Sequence, residues 1–113
     1  MTLKELSELR YLGKEIDLWE RRLQESPLPG IGWESPKMQE SAQIIQQNME
    51  RAVSEYNRLM QFIEGISDPL VFQVAYLRFV EGLSWDTVAA RIGGGITENG
   101  ALTIIRRYLK RAG

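Results

Sequence analysis

The chain has 113 residues and a formal net charge of −1, with 14 basic and 15 acidic side chains and neither cysteine nor histidine. This length predicts one ordinary domain, or two small pieces that share a core. Without Cys and His, the chain cannot form a disulfide, a thiolate zinc site, a Cys–His nucleophile pair or a Ser–His–Asp triad. Chemistry based on carboxylates, Lys, Arg or Ser alone is still open to the chain, but the sequence has no Gly-rich phosphate loop of the Walker type. We expect a protein that is not an enzyme, and we assign no catalytic, cofactor-binding or metal-binding residue.

The hydrophobic content of 43% is typical of a chain that folds. The segment from Met1 to Leu12 carries several charges and lacks the apolar core of a secretion signal. No apolar stretch approaches the roughly 18 residues of a membrane-spanning helix. We expect a soluble, cytoplasmic protein without membrane contact.

Two heptad-patterned segments in residues 1–67 predict two helices. The first runs from Thr2 to about Glu25, and its apolar seam is Leu9, Leu12, Ile16, Trp19 and Leu23. The second begins at about Lys37, and its seam is Met38, Ala42, Ile45, Met49, Ala52, Tyr56, Leu59, Ile63 and Ile66. Residues 26–36 contain three prolines and two glycines and predict a loop. The pattern predicts an antiparallel coiled-coil hairpin. Two helices alone bury little, so we expect the seam also to contact either the C-terminal part of the chain or a second copy in a homodimer.

Residues 68–113 predict three shorter helices and no strands. Capping residues mark the predicted helix starts: Ser67 or Asp68 before Pro69, then Ser84, then Thr97. Glycines end the first two helices, at Gly82 and at the run 93–95. The apolar face predicted for the first of these helices is Leu70, Val74, Leu77 and Val80, with Tyr76 and Phe79 beside it. The buried faces predicted for the other two are Trp85, Val88, Ala89 and Ile92, and Leu102, Ile105, Tyr108 and Leu109. Two capped helices joined by a glycine turn are typical of a helix-turn-helix.

The near-zero net charge hides two halves of opposite sign. Residues 1–68 hold eight basic and twelve acidic side chains, net −4, whereas residues 69–113 hold six basic and three acidic ones, net +3. Four of these basic side chains lie in the last eight residues: Arg106, Arg107, Lys110 and Arg111. Such a cluster can neutralise DNA phosphates and release counterions, although basic side chains at a helix C-terminus also complement the helix dipole.

The segment Tyr76–Ala89 (YLRFVEGLSWDTVA) resembles the LRYVEGLSWEEVA signature of sigma-70 region 4-like helix-turn-helix domains. The chain as a whole resembles small phage and prophage transcriptional regulators that carry an N-terminal coiled-coil hairpin. Residues 93–99 (GGGITEN) are similar to the GGGNTE turn of those regulators. The resemblance implies a tri-helical DNA-binding domain over Pro69–Arg111, with the last helix as the recognition helix. Region 4 of a sigma factor reads the −35 promoter element and docks on RNA polymerase.

The resemblance also implies which side chains contact double-stranded DNA. The first turn of the last helix would face the bases with Thr97, Glu98, Asn99, Gly100, Ala101 and Thr103. Asn99 can pair with adenine and Glu98 can accept a hydrogen bond from cytosine. Arg106, Arg107, Lys110 and Arg111 are placed for phosphates. Two features depart from the family: the turn is about three residues longer, and Gly100 and Ala101 stand where Arg, Ser or His is usual.

The sequence thus predicts an all-α protein, with a coiled-coil hairpin over 1–67 and a helix-turn-helix domain over 68–113. The leading hypothesis is a phage or prophage transcription regulator that binds duplex DNA through its last helix, with contact to RNA polymerase left open. One alternative is a helical adaptor that binds RNA polymerase or another phage protein without touching DNA. Another is a packaging protein similar to a terminase small subunit.

Overall fold

The computed structural model describes residues 1–25 and 36–112, and these residues are all-helical, with no strand among them. This confirms the predicted all-α class. Residues 26–35, which make up nearly all of the predicted loop, lie outside the described residues, as does Gly113. The second long helix begins at Pro36, one residue earlier than the sequence predicts.

Six α-helices and one π-helical turn make up the described chain. In order they are α1 Leu3–Ser7, α2 Leu9–Gln24, α3 Pro36–Glu64, α4 Pro69–Ala75, the π turn Tyr76–Val80, α5 Trp85–Ile92 and α6 Glu98–Ala112. The single helix predicted from Thr2 is divided at Glu8, which ends α1. None of these helices has both the length and the hydrophobicity that a membrane-spanning segment requires.

The chain forms two compact units, which we call the central unit, Tyr11–Asn57, and the terminal unit, Met1–Arg10 with Arg58–Gly113. The predicted boundary between residues 67 and 68 does not coincide with this division. The physical reason lies in the packing of the terminal unit: Phe62, from the end of α3, packs edge-on against Tyr108 of α6, with ring centroids 6.1 Å apart.

In the central unit, α2 and α3 run in opposite directions. Gly13 lies beside Tyr56, whereas Glu15, further along α2, bonds Arg51, which is earlier in α3. Leu12 and Ile45 of the predicted seam are buried here. The heptad pattern therefore identified the apolar side of these two helices.

Replacing Gly13 with alanine should stabilise the protein by about 0.5–1 kcal/mol, because alanine restricts the unfolded chain and favours helix. A Cβ at this position would lie 3.6 Å from the Tyr56 ring, which is an ordinary van der Waals contact. Urea unfolding of the two chains measures the difference. The matched control is Gly82→Ala, which should destabilise because Gly82 has φ +71°. A less stable Gly13→Ala chain would contradict the packing described here.

The terminal unit has its own apolar core. The buried side chains are Leu6, Leu9, Leu59, Ile63, Ile66, Val71, Val74, Ala75, Phe79, Val88, Ala89, Ala101, Ile105 and Leu109. At its N-terminal end, Arg58 bonds Glu5 at 3.0 Å, and this hydrogen bond lowers the pKa of the Glu5 carboxyl. Leu6, which is outside the predicted seam, is fully buried.

The buried face predicted for the helix after Asp68 is partly wrong. Val74 is buried as predicted, and so is Phe79, which is predicted beside this face. Leu70 and Tyr76 are each 38% exposed, however, and Val71 and Ala75 are buried instead. Apolar residues occupy most positions of this segment, so the sequence does not define one face. The π turn also changes the periodicity, since the Glu81 N–H donates to the carbonyl of Tyr76, five residues earlier.

Candidate nucleic-acid interface

The start of α5 is fixed by a cap and a cation–aromatic contact. Ser84 accepts a hydrogen bond from the Thr87 N–H at 3.3 Å, which confirms it as the N-cap. Arg78 donates to the Leu83 carbonyl at 2.9 Å, and its guanidinium lies 4.9 Å from the centroid of the Trp85 ring. These contacts hold the connection between the π turn and α5.

A glycine turn connects α5 to α6. Gly93, Gly94 and Gly95 have φ values of +75°, +66° and +78°, which side-chain-bearing residues rarely adopt. Thr97 then accepts a hydrogen bond from the Gly100 N–H at 3.0 Å, as predicted for the cap of α6. Helices α5 and α6 pack against each other, and both contact α4.

Helix α6 has a buried side and an exposed polar side. Ala101, Ile105 and Leu109 are buried at spacings of four residues. On the other side, exposed polar residues recur at spacings of four, three and four: Asn99, Thr103, Arg106 and Lys110. This periodicity forms one continuous stripe, which we call the polar stripe of α6. The structure therefore brings together four of the predicted site residues on one face.

The C-terminal part of α6 is strongly basic. Arg107, Lys110 and Arg111 line an open depression of about 350 Å³. Arg111 also borders a second depression with Asp68 and Tyr108. Arg111 thus shares a depression with the acidic residue Asp68, and Arg106, Arg107 and Lys110 are exposed.

The prediction that Ala101 lies on the exposed side of the first turn of α6 is wrong, because its side chain is 0% exposed and belongs to the core. Two further predicted residues have hydroxyls that bond their own helix. Thr97 serves as the cap, and the Thr103 hydroxyl donates to the Asn99 carbonyl at 2.8 Å. The Asn99 carboxamide is exposed and makes no hydrogen bond with any residue in the described ranges. Asn99 is therefore the side chain of this first turn that is best prepared for an external partner.

Glu98 is exposed, but it lies beside a second carboxyl group. A side-chain hydrogen bond with Asp86, together with the like charge of Asp86, raises the pKa of Glu98 above its ordinary value of 4.5. Asp86 is in the first turn of α5 and Glu98 in the first turn of α6. When ionised, these two carboxyl groups repel anions that approach the N-terminal ends of the two helices.

Because the pKa of Glu98 is raised in the folded chain, protonation of this carboxyl stabilises the fold. This stabilisation is complete below pH 4.5, the ordinary pKa, and is lost as the pH rises through the raised pKa. We expect Glu98→Gln to match the wild-type free energy of unfolding at about pH 4 and to exceed it at about pH 7. Urea unfolding at both pH values measures this. In a chain that already carries Asp86→Asn, the pH-dependent gain should disappear; a gain that persists there would contradict the pairing.

The sequence patterns indicate neither the pairing of Asp86 with Glu98 nor the contacts of Arg78 and Arg10. Arg10 donates to the carbonyl of Glu81, next to the Gly82 turn, although the two residues are 71 positions apart. No local pattern predicts a contact of that separation. In the part of the chain that the structure describes, no group of three or more acidic side chains is arranged to hold a metal ion.

No protein-family model matches this chain, and comparisons with curated proteins and with solved structures find no match either.

Proposed function

We propose that this protein is a phage or prophage transcription regulator that binds duplex DNA through α6. In this proposal, α4 to α6 form a helix-turn-helix domain similar to sigma region 4, and α2 and α3 form a coiled-coil hairpin. The observation that carries the proposal is the polar stripe of α6, which joins an unbonded carboxamide at Asn99 to the basic side chains of Arg106 and Lys110.

The two ends of the polar stripe would do different work on DNA. Asn99, in the first turn, can pair with the N6 and N7 edge of adenine in the major groove. Arg106, Arg107 and Lys110, two to three turns further on, can bond phosphates and so position the helix without reading sequence. Thr97 and the three glycines before it hold the start of the helix in place.

Three further observations support this proposal. The segment Tyr76–Ala89 resembles the region 4 signature, and its Ser84 forms the cap that a helix-turn-helix requires. The opposite directions of α2 and α3 fit a hairpin. In this proposal the protein acts in the cytoplasm.

Binding of the full chain to a labelled duplex of mixed sequence, measured by fluorescence anisotropy at several salt concentrations, tests the proposal. With three to four phosphate contacts, the logarithm of the binding constant should fall with the logarithm of the salt concentration with a slope of about −3. Absence of binding at about 50 mM salt, where phosphate contacts are strong, would contradict the proposal.

The Asp86–Glu98 pair favours a second candidate function, an adaptor that binds RNA polymerase or another protein without DNA contact. Acidic groups at the N-terminal ends of α5 and α6 oppose the approach of phosphates. An adaptor would retain purified RNA polymerase equally well after the basic side chains of α6 are replaced by alanine. A DNA-binding regulator would instead lose duplex binding in that variant.

A further inference from the structure

The central unit exposes three large apolar side chains. Tyr11 is 74% exposed, and Leu18 and Ile44 are each 55% exposed. They are not part of the heptad seam, whose residues Leu12 and Ile45 are buried within this unit. These seam residues are therefore buried within a single chain, and the three exposed side chains form a separate surface.

The ion pair between Glu15 and Arg51 shows that these three side chains share a face. Its nitrogen and oxygen atoms are 2.6 Å apart. On α2, Glu15 follows Tyr11 by four residues and precedes Leu18 by three, so all three are neighbours on the helix surface. On α3, Ile44 precedes Arg51 by seven residues, two helical turns, and so lies on the same side. We call Tyr11, Leu18 and Ile44 the outer stripe.

The same ion pair sets the register of the two helices. Arg22 follows Glu15 by seven residues, and Ile44 precedes Arg51 by seven residues. Because the helices run in opposite directions, Arg22 and Ile44 lie at about the same level along them. Glu40 is four residues before Ile44, so it lies about one turn nearer the N-terminus of α3 and just beyond the level of Arg22.

Exposed charges flank the outer stripe with opposite signs on the two helices. Three of the four side chains three or four positions from Leu18 on α2 are basic, Lys14, Arg21 and Arg22, and the fourth, Glu15, is paired with Arg51. Asp17 and Glu20 are closer to Leu18 in sequence but lie on other sides of the helix. On α3, Glu40 lies four residues from Ile44. Among the residues that the structure describes, neither these three basic side chains nor Glu40 has an ion-pair partner. The α2 side of this face is thus basic and the α3 side acidic, so the face is complementary to a second copy of itself.

We propose that the outer stripe is the interface of a twofold homodimer in which α2 of each copy packs against α3 of the other. Leu18 then contacts Ile44 of the partner copy, and Arg22 reaches Glu40 of the partner copy across the edge. A stable interface buries about 800 Å² on each partner, more than three side chains supply, so the charged flanks form its rim. This assembly uses the outer surface of the helices and not the heptad seam, and it does not depend on DNA binding.

Sedimentation equilibrium of the full chain tests the interface. The wild-type chain should be a dimer at about 100 μM, and Ile44→Glu should be a monomer with unchanged helicity by circular dichroism. The matched control is Gln43→Glu at the neighbouring exposed position, about 100° around the helix, which should remain a dimer. A monomeric wild-type chain, or a dimeric Ile44→Glu chain, would overturn the proposal.

Charge exchange tests the docking itself. Arg22→Glu and Glu40→Arg should each raise the dimer dissociation constant about fivefold or more, because each places like charges together twice in the symmetric dimer. The double variant restores opposite charges and should return to within about twofold of the wild-type constant. If the losses of dimer affinity in the two single variants simply add in the double variant, the two side chains do not meet, and the proposed register is overturned.

Discussion

Replacing Arg106, Arg107 and Lys110 together with alanine should weaken binding to duplex DNA roughly 100-fold. Each of these exposed side chains can form one charge-assisted contact with a phosphate, and three such contacts at about 1 kcal/mol each account for that loss. The salt dependence should change as well, with the slope reduced in magnitude by about 2.7, because three fewer counterions are released. Anisotropy titrations at several salt concentrations measure both quantities.

The fold should not change in this triple variant, since all three side chains lie on the exposed side of α6 and alanine favours helix. A chain with Lys4, Lys14 and Lys37 replaced by alanine removes the same charge outside α6 and is the matched control. This control chain should keep the wild-type slope of the logarithm of the binding constant against the logarithm of the salt concentration. Equal losses in the two variants would mean that only total charge matters, which would contradict a specific role of α6.

Replacing Ala101 with arginine should destabilise the protein by at least about 3 kcal/mol. Ala101 is fully buried, so the longer side chain must displace its neighbours and its charge must leave water without a partner. A loss of this size is a large part of the stability of a small domain. Urea unfolding followed by circular dichroism measures it.

Thr103→Arg is the matched control for this prediction. Thr103 lies two residues further on and is exposed on the polar stripe. The same arginine there should leave the stability within about 0.5 kcal/mol and strengthen binding to duplex DNA. If Ala101→Arg were as stable as Thr103→Arg, the assignment of the two sides of α6 would be incorrect.

Local signals in the sequence predicted where α4, α5 and α6 begin. Asp68 caps α4 by accepting hydrogen bonds from the Leu70 and Val71 N–H groups at 2.9 and 3.2 Å, and Pro69 follows at the first helical position. Ser84 and Thr97 also cap helices as predicted. Such caps depend on a few consecutive residues, so a sequence is sufficient to identify them.

Features that depend on tertiary contacts were not predictable in this way. The sequence placed Ala101 on the exposed face because a small residue in a polar turn has no strong preference for either side, and its burial depends on packing within the unit. The pair formed by Asp86 and Glu98 depends on how α5 and α6 pack, since the two residues are 12 positions apart. The π turn also has no clear signal in a segment where nearly every residue is apolar.

The most direct test of the central claim is selection of bound duplexes from a random pool by the full chain. If α6 reads bases through Asn99 and holds phosphates through its basic end, one short motif should be enriched. An Asn99→Ala chain should then lose the preference at one position of that motif while it keeps its salt-dependent affinity. A pool that remains random after repeated selection, with no salt-sensitive retention of DNA, would contradict the account.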